Sequence, residues 1–401
     1  MAGITGLGTT FNLPNYVGEL FALTPEDTPL LSSIGGLTGG KAVNSTSWSW
    51  ETFDQRDPSA SRTRVEGAAA PTSEERVRAS VTNVVEIHQE QVSVSYTKQA
   101  ANAQLATPGA APFQINGDQS NGVMRELDWQ VERALKAIAL DVNYTFINGT
   151  FVQPTTNSTA RQTRGLLSAI TTNRIAKGTA VTGASTATDT VTSTAHGLVD
   201  GNKITFTNTS TATGIVAGRI YYVDQQDVNS FKVSTSNGGT AITLGTATGL
   251  AFTKPWATAL ANTHVNDLLQ LAYDNGGISE QHTATLLCNS AQKRAITNAY
   301  ASAYGQYMEQ SRTVGGVNVT TVITDFGTLN LMMDRHMPQD TIAAVSLDQL
   351  QPVFMEIPGK GHFFEEPLAR TGASDNVQLY GEIGLEYGNE RAHAVMTGLV
   401  I

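Results

Sequence analysis

At 401 residues the chain is long enough for two or three domains with a sizeable core. Hydrophobic content of 40 %, charged content of 15 % and 37 glycines describe a folded, turn-rich protein and exclude a disordered tail. The net charge of −10 argues against broad, sequence-independent binding to nucleic acid, which needs clustered Lys and Arg. The single cysteine, Cys288 in "TATLLCN", excludes an internal disulfide and a cysteine metal site and reads as a small core residue. No basic stretch followed by an apolar run opens the sequence, and no apolar stretch approaches the roughly 20 residues that span a bilayer. The expectation is a soluble intracellular product.

Residues 1–40 are rich in Gly, Thr and Pro, with short apolar clusters such as "ELFALTPEDTPLLSSIGG". That is the pattern of an irregular arm laid against something else. Two strands follow, "TSWSWETF" and "SVTNVVEIHQEQVSVSY", separated by a long stretch of charges, Ala and Ser from Asp54 to Arg78. A hairpin would use a short turn there. In the second strand Val85 and Ile87 share one parity, and Val92, Val94 and Tyr96 the other. A bulge or bend is therefore expected around Gln89 to Gln91. Fully extended, residues 81–96 would span about 50 Å at ~3.3 Å per residue, against a radius of gyration of about 21 Å for a compact chain of this length. Such a strand crosses the whole body or projects from it. Trp48 and Trp50 share one strand face with Thr52 and have no interleaved Lys or Arg, so burial against a partner is expected rather than a stacking platform for nucleic acid.

From Asn121 to Ile147 the periodicity predicts a long helix, with Val123, Leu127, Val131, Leu135, Ile138, Val142 and Phe146 as one apolar stripe. Asp118 or Ser120 can cap its start, and Asn148 begins the "NGT" that ends it. From Lys177 to Lys254 helical periodicity vanishes, and short Thr/Val/Ile/Phe runs alternate with Asn-Gly, Asp-Gly and Gly-Gly turns. This predicts a small, self-contained β domain. Mixed α/β character then returns. A helix capped by Thr263 and closed by Gly276 precedes the strand "TATLLCN" and a helix capped by Ser290. Strands are predicted at "VNVTTVIT", "TLNLMMD" and "TIAAVSL", and the end reads as a pair of strands about a turn at Gly388 and Asn389.

Motifs that would carry chemistry fail on inspection. "GGLTGGKA", Gly35 to Ala42, comes near a phosphate-binding loop, but Ala42 stands where a hydroxyl is needed and no strand and helix flank it. "GITGLGTT" lacks the third glycine of a dinucleotide fingerprint, and neither GxSxG nor HExxH occurs. "HFFEE", His362 to Glu366, lacks a third metal ligand at workable spacing. No catalytic, cofactor or metal site is expected, and no enzyme.

The order of these parts resembles the major capsid proteins of tailed bacteriophages, which have the Hong Kong 97-type fold. The resemblance rests on "EDTPLLSSIGG", "RVRASVTNVVEIHQEQVSVSYT", "RELDWQVERALKAIALDVNYTFING", "TRGLLSAI", "TLLCNSAQKRAI", "VITDFGTLNLMMDRHMP", "EEPLARTG" and "GEIGLEYGNERAHAVMTGL". Together these cover nearly all of the chain outside Lys177 to Lys254, which is similar to a small β module that recurs in phage structural proteins. The resemblance implies an α+β fold with an N-terminal arm (1–40), an E-loop (41–98), a P domain with a spine helix (99–176), an inserted all-β domain (177–254), an A domain (255–347) and a return to the P domain (348–401).

It further implies a structural protein that assembles as hexamers and pentamers in the host cytoplasm, forming the icosahedral virion shell. Such a shell encloses DNA without sequence-specific binding and contacts no membrane. In the E-loop, Trp48, Trp50, Val92 and Val94 would bury on another copy. Arg62, Arg64, Glu66, Glu74, Glu75, Arg76 and Arg78 would pair with adjacent capsomers. A separate scaffolding protein, a portal and a decoration protein are implied as partners. Some relatives cross-link an E-loop lysine to an asparagine, but no lysine lies between Lys41 and Lys98, so no such link is expected. Two rival readings are an encapsulin-type nanocompartment shell and a β-rich adhesive or carbohydrate-binding protein. For the latter, Tyr221, Tyr222 and Phe231 are the candidate platform, and at strand spacing they read more simply as core.

Overall fold

The computed structural model describes residues 27–53, 58–72, 78–100, 114–115, 118–119, 126–186, 188–254, 256, 258–277, 285–304, 321–369 and 372–400. The chain begins there with helix α1 (Pro29–Ile34) and strands β1 (Lys41–Val43), β2 (Ser47–Phe53), β3 (Arg78–Val84) and β4 (Glu86–Ser95). One turn of helix, α2 (Tyr96–Ala100), the short strands β5 (Gln114–Ile115) and β6 (Asp118–Gln119), the long helix α3 (Glu126–Asn148) and the short α4 (Leu166–Ala169) follow. Strand β7 (Arg174–Ala176) leads into β8 (Thr179–Ser185), β9 (Val191–Thr192), β10 (Lys203–Asn208), β11 (Ile220–Asp227), β12 (Ser230–Ser234) and β13 (Ala247–Lys254). Helices α5 (Asn262–Asp274) and α6 (Ser290–Tyr304) flank β14 (Thr285–Cys288). The last strands are β15 (Thr321–Thr324), β16 (Gly327–Met333), β17 (Ile342–Val345), β18 (Gln351–Met355), β19 (Phe363–Pro367), β20 (Ser374–Glu386) and β21 (Ala394–Thr397).

Two compact units result, and α3, β4 and β20 each contribute residues to both. The first holds Ile87–Asp141 and Glu356–Glu382. Within it β19 runs antiparallel to β20 from Phe363↔Gly381 to Pro367↔Val377. Gly381 is required there, because a Cβ would lie 2.3 Å from the Phe363 ring. Alternation along β4 turns Val92 and Val94 inward, 8 % and 5 % exposed. On α3 the buried residues are Ala134, Ile138, Val142, Asn143, Phe146 and Ile147, whereas Leu135 is 40 % exposed. The expected stripe therefore holds at Ile138, Val142 and Phe146, and Ala134 takes the place of Leu135 in it, since a neighbour on a helix points about 100° away. The start of that helix and the Ser120 cap lie outside the described residues, and Asp118 belongs to β6.

The second unit holds Thr28–Glu86, Val142–Met355 and Ile383–Ile401. A six-stranded sheet runs in the order β15-β16-β14-β17-β21-β7. Its core joins Val265, Leu268 and Leu269 of α5 and Ile296 of α6 to Leu286, Cys288, Ile342 and Met396 of the strands. Burial pushes the Cys288 thiol up to about 11, so it stays neutral and packs as an apolar group. Helix α5 starts one residue before the expected Thr263 cap. The cap position is Ala261, whose N–H donates to His264 Nδ1 at 3.0 Å. The six strands from Thr179 to Lys254 close into a barrel, β10-β11-β12-β9-β8-β13, around Phe206, Tyr221, Phe231 and Phe252. The Thr205 hydroxyl of β10 donates to the buried carboxylate of Asp340 at 2.9 Å.

Two expectations about the strands are corrected. Residues 81–96 do not form one strand, because Val85 interrupts it. Val84, Val85 and Glu86 are all buried, so the change of face falls at Val85 rather than at Gln89–Gln91. Tertiary bonds hold the break: Val85 N–H donates to Thr46 O at 3.0 Å, and the Glu86 carboxylate accepts from Thr163 N–H at 3.1 Å. The closing strands β20 and β21 also do not pair with each other. β21 joins the six-stranded sheet beside β17 and β7, while β20 pairs with β18 and β19.

Candidate functional site

The residues singled out in the E-loop fall on the hairpin formed by β2 and β3 and on β4. β2 and β3 pair antiparallel from Ser47↔Val84 at the root to Phe53↔Arg78 at the far end. Because side chains alternate, Trp48 and Trp50 share one face, and their rings stack at 6.3 Å. Trp48, 7 % exposed, packs with Val85 and Val353. It covers β20 at Gly384, where a Cβ would lie 2.4 Å from its ring. Trp50 is half-buried. Its ring meets Tyr387 edge-on at 4.9 Å, and its indole N–H donates to Gly388 O at 2.7 Å.

The root is also pinned by Asn83, which stands directly across from Trp48 and is fully buried. Its amide donates to Leu385 O at 2.7 Å and Arg164 O at 3.2 Å, and its Oδ1 accepts from Arg164 N–H at 2.8 Å. The Arg164 guanidinium in turn donates to the Tyr387 hydroxyl at 3.1 Å and lies over the Phe151 ring at 4.6 Å. Towards the far end these supports disappear. The Ser49 and Thr82 hydroxyls bond at 2.9 Å, Arg78 pairs with Glu51 at 2.7 Å with both side chains exposed, and Phe53 is 63 % exposed. Arg62, Arg64 and Glu66 are exposed, as is Val65 at 79 %. Glu74, Glu75 and Arg76 lie outside the described residues. The hairpin is thus fixed at its root and bare at its tip.

One reason for expecting inter-subunit burial is corrected by this geometry. Trp48, Val92 and Val94 are already covered within the chain, so these three need no second copy to leave water, whereas Trp50 is half-buried with its indole N–H satisfied within the chain. Sequence reasoning missed the pins, Asn83, Arg164 and Tyr387. The one signal was a polar Asn inside the apolar run "VTNVV", which in a buried strand requires a partner for its amide.

Comparison with known proteins bears on this hairpin-bearing α+β chain. A family model described as the SU10 major capsid protein matches residues 3–400. The chain belongs to the SU10 major capsid protein family. Solved structures agree on the fold. The capsid asymmetric unit of cyanophage A-1(L) has TM-score 0.54 and 11 % identity, covering 99 % of each chain. The capsid of the native GTA particle gives 0.52 and 11 %, covering 98 % of this chain and 97 % of that one. The capsid of the empty GTA particle gives 0.51 and 11 %, covering 100 % of both. No curated protein sequence matches significantly.

The protein is therefore a major capsid protein of tailed phage, a structural component of the icosahedral shell of the virion. Gly40 of "GGLTGGKA" is pressed to 2.2 Å between its would-be Cβ and Pro352 O, and Lys41 pairs with Glu386 at 3.3 Å, so that loop is packed against β18 and β20 rather than open for a phosphate. Glu365 and Glu366 of "HFFEE" lie on β19, where Glu366 pairs with Lys360. Among the described residues no group of three His, Cys, Asp or Glu could hold a metal, and no helix is long and apolar enough to cross a membrane. Tyr221 and Phe231 are barrel core, while Tyr222 is half-buried with Lys203 Nζ 5.8 Å from its ring centre.

Proposed function

We propose that this capsid protein assembles as hexamers and pentamers into a closed icosahedral shell around phage DNA, in the Hong Kong 97-type arrangement. The observation that carries the reading is a hairpin whose root is pinned by buried contacts and whose tip, residues 58–72, has every described side chain exposed, in a chain matched to a capsid family from residue 3 to 400. A pinned lever with an uncovered end suits an E-loop (41–98) lapped over a neighbouring subunit. Individual exposed ion pairs at the tip contribute only about 0–1 kcal/mol each, so repetition around a closed shell must supply the strength.

On this reading residues 99–176 form a P domain with α3 as its spine, 255–347 an A domain about the local symmetry axis, and 348–401 the return to the P domain. The barrel within 177–254 is an inserted domain facing outward, because a bulky inward module would compete with the genome for volume. A separate scaffolding protein, a portal and a decoration protein are proposed partners, with assembly in the host cytoplasm. The acidic balance, −10 overall, keeps the protein from adhering to the DNA it encloses. Electron microscopy of the protein, expressed alone and with its neighbouring genes, tests this. Even-sized closed shells support it, and single subunits under both conditions overturn it.

A further inference from the structure

The root of the hairpin borders a cavity of about 500 Å³ lined by Val81, Phe151, Arg164, Ala169, Tyr387 and Glu390, among others. Arg164 is half-buried there. One of its N–H groups goes to the neutral Tyr387 hydroxyl and its plane covers Phe151, but no carboxylate among the described residues pairs with it. The acid on the cavity wall, Glu390, is committed elsewhere. It accepts from Thr171 N–H at 2.8 Å, Thr172 N–H at 3.0 Å, the Thr171 hydroxyl at 3.1 Å and the Thr172 hydroxyl. A partly desolvated guanidinium with spare donors and an aromatic floor is a receptor for a carboxylate carried next to an apolar group.

The tip of the same hairpin presents that combination. Ala68 N–H donates to Val65 O at 3.2 Å and Gly67 has φ +79°, a turn that needs glycine at its third position. This turn fixes Glu66 at a corner beside Val65, which is 79 % exposed. Glu66 is the one acid within residues 58–72, and it has no partner among the described residues. It cannot serve its own cavity. No tip residue lines it, and β3 carries the chain roughly 10 Å further out from Val81 to Arg78 before the tip begins.

We propose that the Val65–Ala68 turn of one copy docks in the hairpin-root cavity of a second copy, where Glu66 accepts from the Arg164 guanidinium and Val65 covers Phe151. This deepens the shell reading above and rests on it. It gives the bare tip a specific destination, and it makes each hairpin both donor and receptor, as a heterologous contact that closes a ring requires.

The test is a disulfide between copies in assembled particles. Ser168 lines the cavity and is exposed, and the native Cys288 is buried and does not compete. Particles carrying both Ala68→Cys, on the exposed turn with Glu66 kept, and Ser168→Cys, oxidised with diamide, should give a ladder of linked chains that collapses on reduction, while each single variant runs as one chain. Particles that form normally and give no ladder overturn the proposal and leave the shell reading intact. Charge exchange provides the second measurement. Glu66→Arg, in an exposed turn that folding does not depend on, should lower particle yield by roughly tenfold, the effect of ~1.4 kcal/mol per contact. Adding Arg164→Glu should restore it. An unchanged yield for Glu66→Arg alone also overturns the proposal. If the unaltered protein forms no particles even with its neighbouring genes, the shell reading fails and takes this inference with it.

Discussion

His393 makes the stability of this capsid protein fall on mild acidification. The residue is fully buried. Its Nδ1 accepts from Ser346 N–H at 3.2 Å, which leaves Nε2 as the protonated nitrogen donating to Tyr387 O at 3.0 Å. The ring is therefore held neutral with both nitrogens used. Burial pushes its pKa down from 6.5 to about 4, against smaller opposing pulls from the Tyr387 carbonyl and Glu390. The unfolded chain takes up the proton near pH 6.5, and the folded chain refuses it until about pH 4. Between those values the unfolded state binds more protons, so stability is lost as pH falls.

At ~1.36 kcal/mol per pKa unit, the full loss is about 3 kcal/mol, of which about 2.5 kcal/mol is reached by pH 4.5. The assay is urea unfolding from pH 7 to 4.5 for the unaltered protein and for His393→Gln, whose amide can accept from Ser346 and donate to Tyr387 without titrating. The variant should lose about 2.5 kcal/mol less over that range. His264, whose pKa burial and Lys177 also lower, adds a slope of the same sign to both proteins and cancels in the comparison. Glu390 and Asp334 act below this window. Burial raises each, but hydrogen bonds from Thr172 and Thr171, and from His336 and Asn143, outweigh it and hold both below the ordinary carboxylate value. An equal loss in both proteins would refute the assignment to His393.

Three further outcomes follow from the hairpin. Asn83→Ala removes the side-chain partner of two carbonyls and two N–H groups at the root, and with about 1 kcal/mol or more for each buried group left unpaired it should lower unfolding stability by about 3–4 kcal/mol in urea titration. Gly384→Ala places a methyl 2.4 Å from the Trp48 ring. It should lower the melting temperature through about 1–3 kcal/mol of overpacking, and the pair Gly384→Ala with Trp48→Leu should recover part of that loss. Finally, with no lysine between Lys41 and Lys98, particles boiled in detergent should run as single chains. A ladder of high-mass bands would contradict this.

The local elements that were legible are those whose pattern is set by the chain alone. The barrel strands could be read because Asn-Gly, Asp-Gly and Gly-Gly turns punctuate them, as at Gly201 and Gly238, both with positive φ. The helix at α6 could be read from its length and composition. What could not be read depends on groups distant in sequence. The break at Val85 exists because Thr46 and Thr163 bond there, and neither contact leaves a mark in the strand's own periodicity. The stripe on α3 shifted from Leu135 to Ala134, since helical spacing alone does not say which side meets a neighbour. For the candidate site, the aromatic pair Trp48 and Trp50 was visible in the sequence, but its burial within the chain was not. That burial is supplied by Val353, Gly384, Tyr387 and Gly388, more than 300 residues downstream.

A hairpin fixed at one end and covered by another copy at the other is tested most directly by a reconstruction of the assembled particle by electron cryomicroscopy. The expected result is an icosahedral shell built from this chain in which residues 58–72 of every copy lie against a neighbouring subunit, with Glu66 at Arg164 of that neighbour. A shell in which those residues face solvent on all sides, or a particle to which this chain contributes no shell density, would contradict it.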